Sequence, residues 1–485
     1  MDISDLKLIL LLQTFNKKEF EKFGEYINSP YFNKSLLIRK FYDLLKKDFP
    51  GFKKLSKKEI FKVIYPNEEF KDKKIRDLFS KMNEFALDFI ASEQFNTKIH
   101  TKNSYILENL VNRKLPVHFN SKYKESIKQL NNEKIIDEEY IFAEYNYSRA
   151  EKLFKALYER KFGEIVLSEQ IIEEYNIFIN YLVYMVLVYA LHLNIRRYSG
   201  EYKFHLLILD KVIEFLDKHP RDKYPVIGII KRLLSMQSDI DNSVDDNAKL
   251  YNEVRDLLGK YSDTIQIHNK RYIYVFLFNY TRIKSLDGNP FYKNEHYKIL
   301  KYSIENDLYP KDGNVFSFNS YVTVAATALV HKDFEWAENF IEKFKHEVTK
   351  DQRENAYILC KGNLNYRKGN LEEALKYLGK VAIDDIYFHL RVQNLQIKIH
   401  YELGNFELCK SIIDSYRHFL GSVKDFPEFL KGRFVNYVNI TSRLVNIHLG
   451  GDKKNIFNIK NDLDNLPAEK VESMTWVRTQ LNKLL

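Results

Sequence analysis

Apolar residues recur three and four positions apart along nearly the whole chain, and sustained apolar–polar alternation is nearly absent. That period lays an apolar stripe along one side of a helix, so it predicts an all-α protein. Proline and glycine fall mostly where the period stops, as at Pro30, Pro50, Pro66, Pro220, Pro290 and Pro310. They punctuate helices rather than build loops. Helix pairs are predicted at about Ile177–Asp217, Tyr224–Tyr261 and Tyr272–Glu305, with turn clusters HPRDKYP and DIDNSVDDN between them. The stretch IFINYLVYMVLVYALHLNI, Ile177 to Ile195, is nearly long enough to span a bilayer. It holds Asn180, His192 and Asn194 and runs on into a further amphipathic helix, so a helix buried on nearly all sides is predicted and no membrane span.

The clearest pattern lies between Asn319 and Leu420, in HKDFEWAENFIEKF, RKGNLEEALKYLGKV and ELGNFELCKSIIDSY. Placing Lys332, Gly369 and Gly404 at equivalent turns spaces the units about 37 and 35 residues apart, near the tetratricopeptide length. A small residue in the first helix recurs at Ala325 and Gly362, with Ile397 in the third unit. A second-helix alanine recurs at Ala337 and Ala374, with Cys409 in the third. Phe334, Leu371 and Phe406 follow the turns and fill the space beside them. These hairpins resemble tetratricopeptide repeats over about a fifth of the chain. The resemblance implies an α-solenoid whose first helices line a concave groove.

The organisation expected is an N-terminal helical subdomain (1–100), divergent helical hairpins (101–310), tetratricopeptide-like repeats (311–420) and C-terminal capping helices (421–485), the last ending in SMTWVRTQLNKLL. The opening, around EFEKFGEYINSPYFN, resembles that of an uncharacterised bacterial family of helical-repeat proteins, which implies the same architecture and no activity.

A hydrophobic fraction of 45% is enough to bury a large core and argues against disorder. The formal net charge of +10 permits acidic protein, nucleic acid or anionic membrane as partner without choosing among them. Two cysteines, Cys360 and Cys409, exclude a disulfide framework and suit a reducing compartment. The first residues, MDISDLKLILLLQTF, are acidic where an export signal is basic, so a cytoplasmic address is expected.

The sequence carries no phosphate-binding glycine loop, HExxH, GxSxG or CxxC motif. The 13 histidines include no metal-ligand spacing. His192, His205 and the turn residues His219 to Asp222 read as ordinary helix and turn positions, and Glu169, Glu173 and Glu174 as a solvated face. No enzyme activity, cofactor or metal is expected. Two surfaces remain. Lys53 to Lys81 holds ten basic against five acidic residues, and Lys73, Lys74 and Arg76 are placed to meet phosphates if the helices around Pro66 mimic a helix-turn-helix. The stronger candidate is the first-helix face of the repeats, with Asn363, Arg367, Arg391, Asn394 and Lys398 as polar groups and Tyr366 and Tyr401 beside them. Spacings of three and four keep each set on one face, while Val392, Leu395 and Ile399 point to the core. Arginine and lysine beside asparagine suit an acidic or carboxylate-ended peptide. A protein or peptide partner is therefore expected, with nucleic acid as the second reading.

Overall fold

Two helix starts in the first hundred residues are written in capping residues. Asn16 and Ser56 each accept the backbone N–H three residues on, while Glu19 and Glu59 reach back to the cap N–H, closing reciprocal boxes. In the computed structural model, which describes all residues except 1, 2, 4, 159–163, 198–205, 239–243, 287–288, 312, 314, 383–385, 424–425, 453–454 and 468–469, the protein is all-α. Among the described residues there are 23 α-helices and no strand. A lone bridge pairs Phe316 with Val348.

Two units divide the chain, Met1–Tyr181 and Leu182–Leu485. The first contains α1 (Lys7–Gln13), α2 (Lys17–Asn28), α3 (Leu36–Lys46), α4 (Lys57–Ile64), α5 (Asp72–Thr97), α6 (Ile99–Asn112), α7 (Pro116–Asn131) and α8 (Glu138–Tyr158). The boundary falls within α9 (Glu164–Arg197). The second unit continues with α10 (Leu209–Lys218), α11 (Pro225–Ser238), α12 (Val244–Tyr261), α13 (Ile267–Leu286) and α14 (Pro290–Glu305). It goes on through α15 (Phe318–Val330), α16 (Phe334–Phe344), α17 (Arg353–Lys368), α18 (Leu371–Leu378), α19 (Ile386–Glu402) and α20 (Phe406–Ser422). It ends with α21 (Glu428–His448), α22 (Asn455–Asn465) and α23 (Met474–Asn482).

Helices α1 to α5 enclose one core, with Phe23, Phe41, Phe52 and Met82 fully buried. The close approach of α2 and α3 requires Gly24, since a Cβ there would lie 2.2 Å from the Tyr42 hydroxyl oxygen. In the second unit most packing joins helices that are neighbours in sequence, as α11 with α12, α13 with α14, α17 with α18 and α19 with α20, and α15, α17 and α19 also pack on one another in succession. That is how hairpins stack in a repeat array.

The turns predicted to be equivalent are equivalent. Lys332, Gly369 and Gly404 all have left-handed backbone, with φ of 59°, 86° and 77°. In each, the turn N–H returns to the carbonyl three residues back, and the next N–H returns five residues back: Asp333 to Ala328, Asn370 to Asn365, Asn405 to His400. This pair of bonds satisfies the otherwise unpaired carbonyls of the helix end and turns the chain sharply. The small-residue positions behave as the repeat pattern implies. Ala337, Ala374 and Cys409 are completely buried, and a Cβ at Gly362 would come within 3.1 Å of Leu378. Cys409 donates its thiol to the Ile397 carbonyl at 3.2 Å, and Cys360 is buried on α17.

Two expectations need correction. Helix α9 is not buried on nearly all sides: in its most apolar stretch only 28% is buried. Val183, Leu187, Ala190 and Leu191 are enclosed, while Ile172, Tyr175 and Tyr189 are exposed. Apolar residues surround the helix, yet only part of its circumference meets a neighbour. By length and composition alone α9 is long and apolar enough to cross a membrane. The turn expected at DIDNSVDDN is also shorter, because α12 begins at Val244; its first half lies outside the described residues.

Candidate cationic site on the first helices

Two helices supply the predicted residues. On α17, Asn363 is half-buried, Tyr366 is buried and Arg367 is exposed. On α19, Arg391 and Lys398 are half-buried, whereas Asn394 and Tyr401 are buried. Arg391, Asn394 and Lys398 lie three and four residues apart, so they form one column, and Val392, Leu395 and Ile399 are indeed in the core. The column is more enclosed than a solvated groove face would be. Asn394 is only 7% exposed, because residues near the C-terminus cover it.

Lys398 Nζ donates to Ser473 Oγ at 2.7 Å, and Asn394 Nδ2 reaches the same oxygen at 3.3 Å. The Asn394 Oδ1 is buried and has no donor. Arg391 makes a long contact of 3.4 Å to Asn319 Oδ1 at the start of α15, and its guanidinium lies 5.9 Å from the Phe318 ring centre. The two tyrosines are anchored at their tips. Tyr366 donates to Glu402 at 2.7 Å, and the Tyr401 hydroxyl is 2.9 Å from His448 Nε2. Asn363 is joined to the α19 column by no hydrogen bond among the described residues.

The electrostatics of the column are unbalanced. Arg367, Arg391, Lys398 and Arg433 share their surroundings with two carboxylates, Glu402 and Glu472. Glu472 is bonded to Arg433 at 2.9 Å, and Glu402 receives Tyr366 and Trp476. Among the described residues no carboxylate lies within ion-pair distance of Arg367, Arg391 or Lys398. Burial therefore dominates the titration of Arg391 and Lys398. It pushes the Lys398 amine down to about 8, against opposing attraction from Glu472, and it lowers Arg391 from its usual range.

Arg433, Glu472, Ser473 and Trp476 were not anticipated as part of this column. VESMTW reads as the entrance to a capping helix, and the contact depends on Ser473 adopting left-handed backbone (φ 55°, ψ 34°). Sequence offers no signal for that in a serine.

The N-terminal basic set is placed differently. Lys74 pairs with Glu68 at 2.5 Å and Arg76 with Asp72 at 2.9 Å, leaving Lys73 exposed. Residues 65–71 separate α4 from α5, a longer connection than the three or four residues of a helix-turn-helix. The three residues thus share one helix start, with two of them neutralised locally. His205 lies outside the described residues. His219 lies tilted against Phe215, with ring centres 5.0 Å apart, in an exposed turn. Among the described residues no group of His, Cys, Asp and Glu is arranged to hold a metal ion. No family model, curated protein or solved structure matches the chain.

Proposed function

We propose that the chain is a non-catalytic scaffold or adaptor that holds a protein partner by an acidic or carboxylate-ended segment laid along its first helices. The observation that carries this reading is the α19 column: two cations without a carboxylate partner flank an asparagine whose carbonyl oxygen has no donor. An acidic peptide supplies both missing partners, carboxylate oxygens for Arg391 and Lys398 and a backbone N–H for Asn394. Arg367 adds long-range attraction, Asn363 and Asn394 set the register, and Tyr366 and Tyr401 flank the chain. A hydrogen bond to a charged group in such surroundings contributes about 1.5 to 3 kcal/mol, against about 0 to 1 for an exposed ion pair. Two or three contacts of the first kind give useful affinity.

The test is calorimetry with a hexaglutamate peptide bearing a free C-terminal carboxylate. The double variant Arg391→Gln/Lys398→Met is expected to weaken binding at least tenfold while the helical circular dichroism is unchanged. Equal affinity in parent and double variant rules this surface out. Capture from the native host, followed by mass spectrometry, then identifies the partner.

A further inference from the structure

The turn leading into α23 already occupies part of the space an acidic ligand would take. Glu472 directs one carboxylate oxygen to Arg433 at 2.9 Å, and its other oxygen accepts from the Ser473 hydroxyl at 3.4 Å. That hydroxyl receives Lys398 and Asn394. Three residues on, Trp476 meets the Tyr401 ring edge-on at 5.3 Å and donates its indole N–H to Glu402 at 2.7 Å, the carboxylate that Tyr366 also binds. One short segment thus offers an acid, a hydroxyl and an aromatic ring to residues of the candidate site.

The fit is incomplete. Lys398 meets a neutral hydroxyl where a carboxylate would neutralise it, and Asn394 Oδ1 meets no donor. Ser473 holds left-handed backbone, which an L-residue adopts at a cost, and its side chain does not cap α23. A neutral contact and a strained residue at one point make the segment replaceable by a better anion.

We propose that Glu472–Trp476 is a resident pseudo-ligand: an acidic partner segment takes the places of Glu472 and Ser473 over Arg391, Asn394 and Lys398, and the first turn of α23 moves out with Trp476. This rests on the reading of the site as one for acidic segments and adds its regulation. The incoming segment gains a charge-assisted bond to Lys398 and a donor for Asn394, and Ser473 relaxes. The partner must outcompete a tethered segment, so weakening that segment strengthens binding.

The chain has two tryptophans, so Trp336→Phe leaves Trp476 as sole reporter. In that background the hexaglutamate peptide is expected to shift the emission to the red and to raise acrylamide quenching about threefold. Glu472→Gln is expected to tighten binding about fivefold. Ser473→Gly, which suits the left-handed backbone and removes only a neutral hydroxyl, is expected to tighten it as well. Binding without any change at Trp476, or unaltered affinity in both variants, overturns the pseudo-ligand and leaves the acidic-segment reading standing. Absence of binding to the parent and to both variants overturns the two together.

Discussion

Lys398 shows how one side chain records its surroundings. Its amine faces Ser473 and Asn394, feels Glu472 and Glu402 as attraction and Arg367 as repulsion, and is depressed from 10.5 to about 8 because burial outweighs the attraction. Between pH 8 and 10.5 the unfolded chain keeps this proton while the folded chain releases it. The unfolded state then binds more protons, so this residue makes stability rise with pH in that window. Thermal melts across the window are expected to show the parent gaining on Lys398→Met as pH increases; a parent that loses ground contradicts the assigned burial. Acidic-peptide binding has the opposite sign. It requires the ammonium form, so affinity should fall as pH rises through about 8.

At the scale of the element, the recurring unit is the turn rather than the helix. Lys332, Gly369 and Gly404 share left-handed backbone and the same pair of return hydrogen bonds, although one is a lysine. A Cβ at Gly369 would touch nothing within 4 Å, so substitution there is felt through the backbone alone. Gly369→Ala should cost about 1 kcal/mol and Lys332→Gly should gain about 0.5 to 1 kcal/mol, read as Tm changes of opposite sign. Matching signs would mean that side-chain packing controls the turn. This is also where the sequence was most legible. The glycine, the following cap residue and the alanine four positions into the next helix encode backbone direction and close approach, which are local properties. The burial of α9 was not legible, because an all-round apolar pattern does not say how many neighbours the helix meets. Part of the candidate site was hidden for a related reason: Ser473 reaches Lys398 of α19 across 75 residues of chain, through a serine conformation that no pattern marks.

For the whole molecule, cores built from residues near in sequence imply separable stability. Among the described residues, the cluster enclosed by α1 to α5 draws on residues between Ile3 and Phe89, and both tryptophans belong to the second unit. Phe41→Ala, at a fully buried position, should cost about 3 to 5 kcal/mol. It is expected to lower part of the circular dichroism melt while leaving the tryptophan-detected transition in place; a shared shift would show one cooperative unit instead. The sulfur atoms carry a different message. Cys360 and Cys409 lie in separate hairpins, both buried, with burial pushing their thiols up, Cys409 to about 12. Oxidants and electrophiles react with exposed thiolate, and the native chain presents none at these two positions. Folding therefore passivates both thiols: in the finished molecule neither answers to the redox poise around it, and at these two positions only the nascent or opened chain has a stake in it.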